Sequence, residues 1–207
     1  FIDEVVETHA SWLQRFYQGS WSQAVLEGTL TKEQYVASLY NLHQYVRQTT
    51  RLAARAIAHS SEINLRNHYI NHLRGEINHE LMIERDLEKL GADVDYIRDE
   101  HVPTAATKEF MVVQESTIGF YQDPILMLAC PMAAEGVAAN MTPEFVNALL
   151  KVIASWGVEE PKEAARFLTS HINTDGGDDG HWQHVINAIG NNVHSELDLQ
   201  RFLSVMH

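Results

Sequence analysis

Glu76 and His79 stand three residues apart in the stretch HYINHLRGEINHELMIERDLEKLG, residues 68–91. Read as one long helix, this spacing sends a carboxylate and an imidazole from the same face, about 5–6 Å apart. A Glu-x-x-His pair on a bundle helix can hold one ion of a di-metal carboxylate centre. Such a pair also arises by chance in many helices, so its meaning depends on whether other ligands exist.

Glu135 is the next candidate. It is the only charged residue in PILMLACPMAAEGVAANM, residues 124–141. A carboxylate on an apolar helix is costly to bury unless a cation or hydrogen bonds compensate it. A metal ion is one such cation; a buried arginine or exposure to solvent would be the ordinary alternatives. The third candidate is the run HINTDGGDDGHWQH, residues 171–184. His171 and Asp175 are spaced i,i+4, and Asp178 and His181 are spaced i,i+3, so each pair shares a helix face. Imidazole with carboxylate suits iron, manganese or zinc. The Gly pair between them blurs the alignment, and a solvated acidic loop with surface histidines is the alternative reading. An EF-hand is disfavoured, because position 12 counted from Asp175 is Ile186 and not Glu.

Other reactive types read more simply. His68 and His72, on the turns before Glu76, are supporting partners or exposed helix residues. His9 alone does not make a heme site. Cys130 has no evident thiolate-stabilising neighbour and reads as a small buried hydrophobe. Tyr35, Tyr40 and Tyr45 read as core or pocket lining.

These residues need helices to position them. Apolar spacing predicts helices at 2–18 and about 21–27. Thr31 and Gln34 form a capping box that opens a helix running to about 59. A helix over 62–90 follows, ending at Gly91, and then a loop over 92–103. Thr104 caps a helix to about 121. Asp123-Pro124 starts one over 124–140, with a kink expected at Pro131. Thr142-Pro143 and Pro161 open two more, and a final helix spans about 181–205. Sustained period-2 alternation is absent. The prediction is an all-α protein, one domain over residues 1–207, with seven to nine helices in a bundle.

Composition narrows the function. The 207 residues are 45% hydrophobic, an ordinary globular share. The net charge of −13 disfavours nucleic acid and anionic membrane surfaces as partners. The single cysteine permits no intrachain disulfide. With no apolar run long enough to span a bilayer and no signal-peptide composition at the start, a cytoplasmic location is expected.

With Glu76, His79, Glu135 and the 171–181 segment in place, the chain resembles the heme-oxygenase-like superfamily (the TenA/PqqC-like fold). Within it, it looks most like the heme-oxygenase-like di-iron oxidases and oxygenases. The Glu-x-x-His helix, the lone Glu135-Gly136 about sixty residues later and the late His/Asp/His cluster carry the likeness. The family pattern His-x3-Asp-x2-His is interrupted here, as if three residues were inserted, so either Asp175 or Asp178 fits it. The resemblance implies two irons, or iron and manganese, held by Glu76, His79, Glu135, His171, Asp175 or Asp178, and His181. It implies O2-dependent oxidation of a small organic substrate, such as an amine, amino acid or fatty acid, in an apolar pocket between helices. It also implies a homodimer.

The segment SWSQAVLEGTLTKEQYVASLYNLHQYV resembles the TenA/thiaminase II group. That likeness implies an aminopyrimidine hydrolase using Cys130, although Leu42 stands where the group carries an aspartate. A non-catalytic ligand-binding protein of the same fold is the third reading.

Overall fold

The computed structural model describes residues 1–175 and 180–206, the side chains of 172–175 excepted. The helices in order are α1 (Ile2–Gln18), α2 (Ser20–Glu27), α3 (Lys32–Val46), α4 (Thr49–His59), α5 (Ile63–Gly75), α6 (His79–Lys89) and α7 (Val94–Asp99). Then come α8 (Ala105–Glu115), α9 (Pro124–Met127), α10 (Ala129–Ala139), α11 (Pro143–Ser155), α12 (Arg166–Asp175), α13 (His181–Asn192) and α14 (Glu196–Met206). A π-helical turn, Ser116–Phe120, extends α8, and a 3-10 turn, Glu163–Ala165, leads into α12. No strand occurs among the described residues.

Several helix starts follow from local chemistry. Thr31 and Gln34 exchange side-chain and backbone hydrogen bonds at 2.9 and 3.2 Å, the reciprocal capping box. Asp123 accepts from the backbone of Ile125 and Leu126, with Pro124 in the first turn. Thr104 and Thr142 cap α8 and α11 in the same way. Pro131 has no N–H to offer the carbonyl of Met127, and α9 ends at Met127. The helix therefore breaks four residues before the proline.

The helices are more broken than the sequence predicts, and the all-α reading holds with more segments than seven to nine. The predicted helix to residue 59 divides at Arg47-Gln48. The predicted helix over 62–90 divides at 76–78, where Asn78 takes a left-handed conformation with φ 69°. The expected loop over 92–103 contains α7, capped by Asp93 and anchored by buried Ile97. The predicted final helix divides before α14, which Ser195 opens by accepting the Asp198 N–H.

Tertiary packing favours the first two divisions, neither of which contains a Pro, with Gly75 closing α5 just before the second. The core consists of two hydrophobic clusters. One gathers Leu52 and Ala56 of α4, Leu65 and Tyr69 of α5, Met132 of α10, Val185 of α13 and Phe202 of α14. The other gathers Leu39 and Val46 of α3, Ile83 and Leu87 of α6, Phe145 and Ile153 of α11, and Phe167 of α12. The chain passes from the second cluster to the first at 47–48 and back again at 76–78. A straight helix could not bury apolar residues in both. The polar residues of interest lie around the second crossing.

Candidate metal centre

The division between α5 and α6 places Glu76 at the C-cap of α5 and His79 at the first position of α6. Across this turn His79 Nδ1 lies 2.9 Å from Glu76 Oε2. His171 arrives from α12, with its Nε2 3.2 Å from His79 Nδ1. Its other nitrogen, Nδ1, lies 2.6 Å from the Phe167 carbonyl. A carbonyl only accepts, so Nδ1 carries a proton, and Nε2 is the nitrogen turned toward the cluster. A hydrogen bond of this kind fixes the tautomer and ring orientation of a metal-binding histidine.

On the other side of Glu76, α5 supplies His72 and α10 supplies Glu135. His72 Nδ1 lies 3.2 Å from Glu135 Oε1. Glu76, His79 and His171 form one group of three donor atoms, and His72, Glu76 and Glu135 form a second, all within 4.8 Å of one another in each. Glu76 belongs to both. Glu76, Glu135, His72 and His171 are buried, each at 8% exposure or less.

Two carboxylates this close, out of water, repel each other unless a cation intervenes. Burial alone would raise the Glu76 carboxyl, but the hydrogen bond from His79 and the neighbouring His72, His79 and His171 carry it down to about 2. The cluster thus stabilises a carboxylate anion in a buried place. Oxygen and imidazole nitrogen donors fit a first-row divalent metal, and the bond to the Phe167 carbonyl orients the His171 ring with Nε2 toward the cluster.

The structure brings together Glu76, His79, Glu135 and His171 of the predicted ligands. His181 is close but outside both groups. Its ring packs edge-on to His72 with centroids 6.2 Å apart, and a Cβ on Gly75 would approach its Cε1 to 2.9 Å. The side chain of Asp175 and all of Asp178 lie outside the described residues. His72 is the donor that the sequence reading passed over; its i,i+4 relation to Glu76 was the available signal.

Behind Glu135, Gly136 lets two rings approach α10. A Cβ there would overlap His9 Nε2 and the Trp182 ring. His9 is buried against Trp182, with ring centroids 4.5 Å apart, and burial lowers its basicity. It therefore serves packing. Cys130 is buried in the first cluster, and burial pushes its thiol up to about 12. Leu42, where the thiaminase pattern has an aspartate, packs against the second cluster.

A cleft of about 550 Å³ runs between α5 and α13 and has His72 and His181 in its wall. Its other residues are mainly Asn and His, in contrast to the apolar pocket expected. His68 stacks parallel to His72 at 6.1 Å. Burial, reinforced by His72, His184 and His181, pushes the His68 imidazole down to about 3, so this ring is neutral.

No protein-family model and no curated protein matches the chain. Solved structures do. A domain of unknown function with a heme oxygenase-like fold, from Shewanella denitrificans, superposes with a TM-score of 0.79 at 19% identity, covering 100% of this chain and 85% of that one. A TenA homolog from Pseudomonas syringae pv. tomato superposes with a TM-score of 0.75 at 15% identity, covering 99% and 86%. At such identities the likeness is one of fold, and the fold is heme-oxygenase-like. No single helix among the described residues is long and apolar enough to cross a membrane.

Proposed function

We propose that this chain is a non-heme di-metal oxidase or oxygenase that uses O2 on a small organic substrate. The observation that carries the reading is the pair of three-donor groups sharing the buried Glu76 carboxylate. Glu76, His79 and His171 would hold one ion, and His72, Glu76 and Glu135 the other, with Glu76 in common. Iron, or iron with manganese, suits these oxygen and nitrogen donors and would supply redox chemistry toward O2. The carboxylates balance the metal charge. The Phe167 carbonyl orients His171 toward the cluster, and the cleft between α5 and α13 reaches it at His72.

The test is metal analysis of protein produced with iron and manganese, followed by O2 uptake after anaerobic loading with ferrous iron. Roughly one to two ions per chain is expected, as is usual for a preformed buried donor set. Fewer than about 0.2 ions per chain, unchanged in Glu135→Ala, would remove the proposal.

An aminopyrimidine hydrolase is the second reading, favoured by the fold shared with a TenA homolog. It requires Cys130 as nucleophile, and the raised thiol weighs against that role.

A further inference from the structure

We infer that the cleft between α5 and α13 binds an uncharged small molecule carrying several hydroxyl or carboxamide groups, and brings it to His72. The statement about the cleft stands on its own lining; delivery to a reactive centre rests on the di-metal reading above.

The lining is unusual for a helix-helix seam. From α5 come Asn64, Asn67 and Asn71, at i, i+3 and i+7, with His68 and His72 beside them. From α13 come His181 and His184, followed by Asn187 and Asn191. Asn costs a helix interior roughly 0.5–0.7 kcal/mol relative to Ala, so paired stripes on two facing helices work against helix stability. Solvation of a surface needs no such composition; Lys, Glu or Gln would serve at lower cost.

The chemistry of the lining selects a ligand class. No Asp, Glu, Lys or Arg is among the described residues that line it, so an ammonium finds no carboxylate there and a carboxylate finds no Lys or Arg. Ala188 is the one aliphatic residue among the described residues that line it, so an alkyl chain gains little. Carboxamides and imidazoles offer donors and acceptors side by side. Hydroxyl and amide groups need both. Asn71 and Asn187 each use their oxygen along their own helix, accepting from Arg74 and Gln183, and so keep N–H donors for a ligand. His68 Nε2 is buried with no hydrogen-bond partner among the described residues, a nitrogen that a ligand group would satisfy. His72 links the cleft to the cluster, since the same ring meets Glu135 at 3.2 Å.

The experiment uses four probes. Xylitol and malonamide are the uncharged, hydrogen-bonding ones, separating a hydroxylated from an amide ligand. Malonate and 1,3-diaminopropane are similarly small, charged counterparts. Each is titrated into protein labelled with 15N-asparagine, in metal-free and iron-loaded forms, and side-chain NH2 resonances are followed. Xylitol or malonamide should shift the resonances of Asn67, Asn71 and Asn187 saturably. Loss of their polar partners in the Asn71→Leu/Asn187→Leu variant should weaken binding about tenfold. A thermal melt of the variant checks folding, and Asn67→Leu alone provides a milder second variant. Tighter binding of malonate or diaminopropane than of malonamide overturns the inference, as does the absence of any shift with both uncharged probes. Shifts without metal binding would defeat the di-metal reading alone; metal binding without shifts would defeat this one alone.

Discussion

Glu76 Oε2 and His79 Nδ1 meet at 2.9 Å across a break between two helices, rather than along the face of one. The local chemistry of this break is unfavourable. A carboxylate at the C-terminal end of α5 opposes the helix dipole. Asn78, at φ 69°, holds a left-handed conformation that Asn adopts more readily than most residues with a side chain, at a modest cost. Local costs of this kind concentrate at functional sites, where the rest of the fold compensates them. Here the compensation is the pair of hydrophobic clusters that α5 and α6 separately enter.

Because Glu76 belongs to both donor groups, its loss should cost more metal than the loss of any one histidine. Glu76→Ala is expected to lower bound iron below roughly half an ion per chain, whereas His171→Ala should retain about one, as follows from removing ligands to both ions or to one. Elemental analysis after desalting measures this. Equal losses in the two variants would show that Glu76 is not shared.

Much of the site was legible as residue types at separations: a Glu-x-x-His pair, an isolated Glu135 and a late histidine cluster. What was not read from the sequence was the break at 76–78, where Gly75 and Asn78 are weak local signals and the chain crosses between clusters. His72 was hidden for a related reason. On an uninterrupted helix it was one histidine among several, whereas at the end of α5 its ring meets Glu135 of α10. The fold class followed from apolar period and caps. The divisions at 47–48 and 76–78 depended on tertiary packing that local pattern does not encode, while Asp93 and Ser195 were capping signals that had been available to read.

Gly136 should tolerate no side chain. The added Cβ of Gly136→Ala would meet His9 and Trp182, and overpacking of this sort costs about 1–3 kcal/mol. Gly190→Ala is the contrast. Its Cβ would lie 3.4 Å from Ile2 Cδ1, so the helix-propensity gain should make it neutral or stabilising. Thermal melts of the two variants check this. A Gly136→Ala melt at or above that of the parent would show that the α1–α10–α13 packing is not as tight as described.

Cys130 should be inert in the folded protein. The residue is 3% exposed and burial pushes its thiol up to about 12, and only the thiolate attacks electrophiles. Iodoacetamide at pH 8 should label it slowly in the native protein and quickly in denaturant. Fast native labelling, together with loss of aminopyrimidine hydrolysis in Cys130→Ser, would favour the hydrolase over the di-metal enzyme.

Asp86 gives a pH dependence that can be separated from the metal cluster. It is fully buried and accepts the Phe167 N–H at 2.9 Å, tying α6 to the start of α12. Burial raises its carboxyl to about 7, against the opposing backbone N–H groups of Phe167 and Arg166, with Glu163 adding to the rise and the Arg166 charge subtracting. The folded state therefore holds this proton more tightly than the unfolded state, where the ordinary value is 3.8. The contribution to stability is full below the unfolded value and is lost as pH rises through the folded value near 7. Asp86→Asn keeps an accepting oxygen and cannot ionise. Urea unfolding of the metal-free protein between pH 5 and pH 8 should show the variant gaining on the parent as pH increases, with most of the gain complete by pH 8. Parallel stability curves over that range would mean that Asp86 stays ionised in the fold, and that the capping of α12 rests on a buried anion.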